Sequence, residues 1–155
     1  VHINFNEAEN YCKWNKKRIP TINEWELAAY TEFRINNKDG YKFKKSYPYP
    51  TGENTLGLNC LNDCNFNYPS KYSKFLLRGY GHVSTFSTKK GINGLYDMGG
   101  NVWEWVDVND NSYKGTKGGS WWYGKNQMIK GYTSTKPQNM SAVYIGFRCV
   151  KDFKN

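Results

Sequence analysis

The sequence predicts an α+β chain with two short helices, a long irregular middle and strands towards the C-terminal end. Three observations carry this. Two Asn/Thr-x-x-Glu patterns near the start each open an amphipathic segment. Residues 34 to 93 are rich in Asn, Gly, Lys, Tyr and Pro, with turn signals at Asp39-Gly40 and Thr51-Gly52. Ala142 to Val150 reads Ala-Val-Tyr-Ile-Gly-Phe-Arg-Cys-Val, a run of β-formers.

Taken in order, Asn6-x-x-Glu9 predicts a helix to about Asn15 that turns Ala8, Tyr11 and Cys12 to one face. Thr21-x-x-Glu24, directly after Pro20, predicts a second helix to about Glu32 with Trp25, Ala28 and Ala29 inward. An irregular stretch as long as 34–93 is unusual inside a compact domain. Gly118 to Tyr123 and Ala142 to Val150 are the strand candidates. Neither an internal repeat nor a second domain is visible, so 1–155 is expected to be a single domain.

That length suffices to bury a core. Aromatic residues make up 17% of the chain, so rings should dominate that core. No run of eighteen apolar residues exists, and no membrane span is expected. The formal net charge of +9 would suit an anionic partner. No nucleic-acid motif accompanies it, so scattered solvated lysines are the expectation and a specific nucleic-acid partner is not.

Residues 91–106 (GINGLYDMGGNVWEWV) combine two carboxylates, Asp97 and Glu104, with a Gly99-Gly100-Asn101 kink and two tryptophans. Carboxylates around such a kink can converge with exposed carbonyls on a hard cation, and calcium takes six to eight oxygens of this kind. The four cysteines allow three pairings. Cys60 and Cys64 are close enough for a local bridge. Metal binding there would need partners, and only His2 and His82 are on offer.

Four blocks in order resemble the formylglycine-generating enzyme (sulfatase-modifying factor) family: Asn6–Trp14 (NEAENYCKW), Lys17–Ala29 (KRIPTINEWELAA), Gly94–Trp105 (GLYDMGGNVWEW), and Lys117–Trp121 (KGGSW) with Gly146–Cys149 (GFRC). The resemblance implies a mostly irregular fold, related to C-type lectins, with small antiparallel sheets. Family domains have a further stretch before the first block, so this chain is expected to lack its N-terminal part. The resemblance pairs Cys12 with Cys149, a disulfide suited to an extracytoplasmic (periplasmic, secreted or lumenal) compartment. It implies a structural Ca2+ held by Asp97, the carbonyls of Gly100 and Val102, and Glu104. A second family calcium site would need a carboxylate near Phe75 to Leu77, where none stands, and Asn65 alone cannot make it.

Family oxidases carry two thiols shortly after Gly-Gly-Ser that hold copper(I). Counted from Ser120, those positions fall on about Tyr123 and Met128, and no cysteine lies between Cys64 and Cys149. No copper and no cysteine oxidation are therefore expected. The resemblance places a ligand groove along Ser120, Trp121, Trp122, Tyr123, Tyr132 and Arg148, for a peptide, protein or glycan. The leading expectation is a non-oxidase binding or accessory domain. The alternatives are the C-terminal part of a metal-dependent oxidoreductase of the same superfamily, and a receptor-binding display protein that varies residues 125–138.

Overall fold

The computed structural model describes residues 1–62, 64–67 and 80–152. Helix α1 spans Phe5–Trp14 and α2 spans Ile22–Tyr30. The strands are β1 (Trp103–Val106), β2 (Tyr113–Lys117), β3 (Ser134–Pro137) and β4 (Ile145–Gly146). They form one sheet in the order β3-β2-β1-β4. The β3–β2 and β2–β1 pairs are antiparallel, but β4 joins β1 in parallel, so the sheet is mixed rather than wholly antiparallel.

The first helix starts two residues earlier than expected. Asn4, not Asn6, caps it, accepting from the Glu7 amide (3.0 Å) while Glu7 accepts from the Asn4 amide (2.9 Å). This earlier start brings Phe5 into the helix and buries it edge-on against Trp105, centroids 5.9 Å apart. Ala8 and Cys12 face inward as expected, but Tyr11 is exposed. The second capping box falls on Thr21 and Glu24 as read from the sequence. Glu24 also takes both terminal nitrogens of Arg18 (2.7 and 2.5 Å), and its carboxyl is pulled down to about 2 chiefly by that hydrogen bonding.

Helix α2 stops at Tyr30, because Thr31 is already extended, and this leaves Glu32 outside the helix. Glu32 is fully buried, accepts from Arg34 Nε (3.0 Å) and Nη2 (2.8 Å), and receives the Asn93 amide at 3.1 Å. Gly118–Tyr123 is not a strand. Gly118 and Gly119 both adopt positive φ (89° and 71°), which breaks the ladder, and the strand is the polar segment just before them. Of Ala142–Val150, only Ile145–Gly146 pairs as a strand, while Val150 bridges to Arg18.

Side chains alternate across a strand, so the sheet presents two different faces. Trp103, Trp105 and Ile145 pack with Phe5, Ala8 and Cys12 of α1 and with Ile19. Val106, on the other face, packs with Trp25, Ala29 and Tyr30 of α2 and with Met98. A third cluster joins Leu58, Cys60, Cys64 and Met128. Cys12 is bonded to Cys149, tying α1 to the C-terminal segment, and Cys60 is bonded to Cys64. Among the described residues, no helix is long and apolar enough to cross a membrane.

Candidate functional site

The turn from Asp97 to Glu104 is shaped by its glycines. At Gly100 (φ 69°) an added Cβ would meet the Asn59 carbonyl oxygen at 2.4 Å, so only glycine fits there. The next residue, Asn101, is buried and locks the loops together. Its side-chain oxygen accepts from the Val83 amide (2.9 Å) and from Asn59 Nδ2 (3.3 Å), and its own amide donates to the Val83 carbonyl (3.2 Å).

A cavity of about 620 Å³ opens beside this turn, lined by Asp97, Val102, Glu104 and Arg148 among others. Each Asp97 oxygen accepts one hydrogen bond: Oδ1 from the Thr88 hydroxyl (2.7 Å), Oδ2 from the Phe86 amide (2.9 Å). Glu104 is gripped harder. Arg148 donates to it through Nε (2.5 Å) and Nη2 (2.6 Å), and Trp25 Nε1 donates at 2.7 Å. Arg148 Nη2 also donates to the Tyr96 carbonyl at 3.1 Å. Burial works against the Arg148 charge, but the Glu104 carboxylate outweighs it and holds the guanidinium above its ordinary range. Among the described residues, no group of three His, Cys, Asp or Glu side chains is gathered in metal-binding fashion. Phe75 to Leu77 lie outside the described residues.

On the same face as Glu104, Lys117 is fully buried. It donates to Glu26 at 2.5 Å and to the Tyr132 carbonyl, while Glu26 also accepts from the Gly131 amide at 3.2 Å. Desolvation pushes its charge-loss point down, and the Glu26 carboxylate works in the opposite direction. This pair fixes the entrance to β3 against α2.

The six residues expected to line a groove do not form one strip. Ser120 and Trp121 are buried, and Arg148 is committed to Glu104. That ion pair sits on the face of β1 opposite to Trp103, so Arg148 points away from the rings. Trp122 and Tyr123 are half-buried and Tyr132 is exposed. These three belong to a chain of aromatic contacts: Trp121–Trp122 (5.0 Å), Trp122–Tyr144 (5.9 Å), Tyr144–Tyr123 (5.9 Å), Tyr123–Trp103 (5.5 Å) and Trp103–Tyr132 (6.1 Å). Trp103, itself buried in the core, touches both Tyr123 and Tyr132. In Trp-Glu-Trp the two rings must face away from the glutamate.

The two positions that the resemblance assigns to oxidase thiols part company. Tyr123 packs with Trp103, and Met128 is fully buried beside Leu58 and the Cys60–Cys64 bridge. All four cysteines are bridged, so the chain has no free thiol.

The model of the sulfatase-modifying factor enzyme 1-like domain matches residues 1–153. The chain belongs to this family. This sulfatase-modifying-factor-like domain is 33% identical over 126 residues to the inactive C-alpha-formylglycine-generating enzyme 2 of Bos taurus, covering 78% of this chain and 38% of that protein. It is 28% identical over 173 residues to the formylglycine-generating enzyme of Mus musculus, covering 98% of this chain and 44% of that one. The domain thus spans less than half the length of either relative. Among solved structures it resembles PvdO from Pseudomonas aeruginosa, with a TM-score of 0.64 at 17% identity over 95% of this chain and 59% of that one. It also resembles variable protein 1 of Treponema denticola, with a TM-score of 0.52 at 23% identity over 84% and 46%. These two likenesses establish the fold, α+β with little regular structure.

Proposed function

We propose that this chain is a non-oxidase member of its family: a calcium-stabilised, extracytoplasmic binding or accessory domain that takes a peptide, protein or glycan ligand on the aromatic surface around Trp122, Tyr123 and Tyr132. One observation carries the reading. Every cysteine is bridged, and the positions given to family thiols hold Tyr123 and Met128. Copper(I) is a soft ion that selects thiolates, and the chain has none to offer. The name of the bovine relative, an inactive enzyme, agrees with this. The two disulfides suit an oxidising compartment.

The calcium part of the reading is supported by two carboxylates, Asp97 and Glu104, that line the same cavity. Each Asp97 oxygen accepts a single hydrogen bond and keeps a lone pair, as does Glu104 Oε1. Arg148 offsets one of the two negative charges, leaving a net charge that still favours a cation. Asp97 and Glu104, with the carbonyls of Gly100 and Val102, would hold the ion, which would supply a cross-link through the kink. Chelation by EGTA is expected to lower the melting temperature by several degrees, with restoration on adding calcium. Asp97→Ala, which removes the oxygen ligand, should abolish that response. No shift on chelation, with no calcium in the purified protein, would remove the calcium part of the proposal.

A further inference from the structure

We propose that the aromatic surface binds an acidic saccharide, whose carboxylate is held at Lys136 beside Trp103 while its apolar ring face packs on Tyr123, Tyr132 and Tyr144. This rests on the binding-domain reading above and names the chemistry of its ligand.

Lys136 lies on β3, and its ammonium sits over the Trp103 ring, 5.1 Å from the centroid. Its side chain doubles back along the strand, donating to the Ser134 hydroxyl at 3.0 Å. The residue is only 9% exposed. Among the described residues, no carboxylate pairs with it. The cation directly across the ladder, Lys114, has Asp107 at 2.7 Å, and buried Lys117 has Glu26. Lys136 thus differs from the other lysines of the sheet in carrying a largely buried charge without a counter-ion. Buried charges are ordinarily paired because desolvation is costly. Burial pushes the Lys136 ammonium below its ordinary range, with nothing opposing it.

A second observation falls on the same ring. Trp103 is 1% exposed, and its indole N–H has no acceptor. Buried donors are nearly always satisfied, and an orphan calls for an unseen acceptor. The ammonium without an anion lies over the ring whose N–H has no acceptor, and a carboxylate on the ammonium would supply the missing counter-charge to this cluster. The rings decide what carries it. Tyr123 and Tyr144 are half-buried and Tyr132 is exposed, and Tyr123 and Tyr132 both touch the Trp103 ring that carries the cation. Such rings suit a sugar, with its apolar face and polar rim. The net charge of +9 favours approach of an anion over a neutral sugar.

The test is titration with D-glucuronate, D-glucose and acetate at constant ionic strength, read by tryptophan fluorescence and calorimetry. The wild-type chain, Lys136→Met and Lys136→Arg are compared. Glucuronate is expected to bind at least tenfold more tightly than either glucose or acetate. Lys136→Met should lose at least tenfold of that affinity, and Lys136→Arg should retain most of it. Lys136→Met should melt no lower than wild type without ligand, because it removes an unpaired buried charge; a collapsed fold would be visible there, and Lys136→Arg then carries the comparison. Equal binding of glucuronate and glucose, or undiminished binding by Lys136→Met, would overturn the proposal. Binding of an acidic peptide but not of glucuronate would overturn it too, while leaving the binding-domain reading standing. Copper-dependent oxidase activity would instead remove that reading.

Discussion

Replacing Arg148 with methionine is expected to cost about 3–5 kcal/mol of stability, the range for breaking a buried ion pair from one side. In calcium-free protein Glu104 would keep, among the described residues, only the Trp25 N–H as donor, and its charge would stay largely buried. The pair is bidentate, with Glu104 on the α2-facing side of the sheet and Arg148 just beyond β4, so its loss loosens the junction of two strands. For a chain of this size each kcal/mol moves the melting temperature by about 2–4 °C, so a drop of roughly 6–20 °C is expected in a thermal scan. The double variant Glu104→Gln/Arg148→Met should recover part of the loss, since it removes both charges. A single Arg148→Met variant within about 1 kcal/mol of wild type would mean that water already solvates the carboxylate.

Removal of the Cys12–Cys149 bridge by paired alanine substitution is expected to cost about 5 kcal/mol in the chain-entropy model. The bridge closes a sequence separation of 137, and Cys12 is buried among Phe5, Ile19 and Trp103. The Cys60–Cys64 bridge closes a separation of only 4, for which the same relation gives about 2 kcal/mol. Urea denaturation of the two double variants measures both. Equal losses would show that local strain or packing, rather than loop length, sets the contribution of each bridge.

The elements legible in the sequence were those whose signals are local. Thr21 and Glu24 cap α2 as the pattern requires, and Cys12 meets Cys149 as the family blocks imply. The misses have physical causes. Asn4-Phe5-Asn6-Glu7-Ala8-Glu9 offers two overlapping capping boxes, and burial of Phe5 against Trp105 decides between them. Strands β2 (Tyr-Lys-Gly-Thr-Lys) and β3 (Ser-Thr-Lys-Pro) carry no apolar alternation, because Lys117 and Lys136 are buried by long-range contacts that a sequence does not display. The family block sets Arg148, after Gly146-Phe147, with the groove residues; the pairing with Glu104 turns it to the other face. In the sequence Lys136 is one of 22 basic residues, and only the fold sets it over Trp103.

The central claim is that a family scaffold without thiols binds rather than oxidises. Its most direct test is incubation of the purified chain with copper(I) and a cysteine-containing sulfatase peptide in air, with mass spectrometry of the peptide. The mouse formylglycine-generating enzyme serves as positive control and copper alone as blank. The expected result is a peptide cysteine converted by the control and unchanged by this chain. Formylglycine above the blank would contradict the claim and would require an oxidase centre built without cysteine thiols.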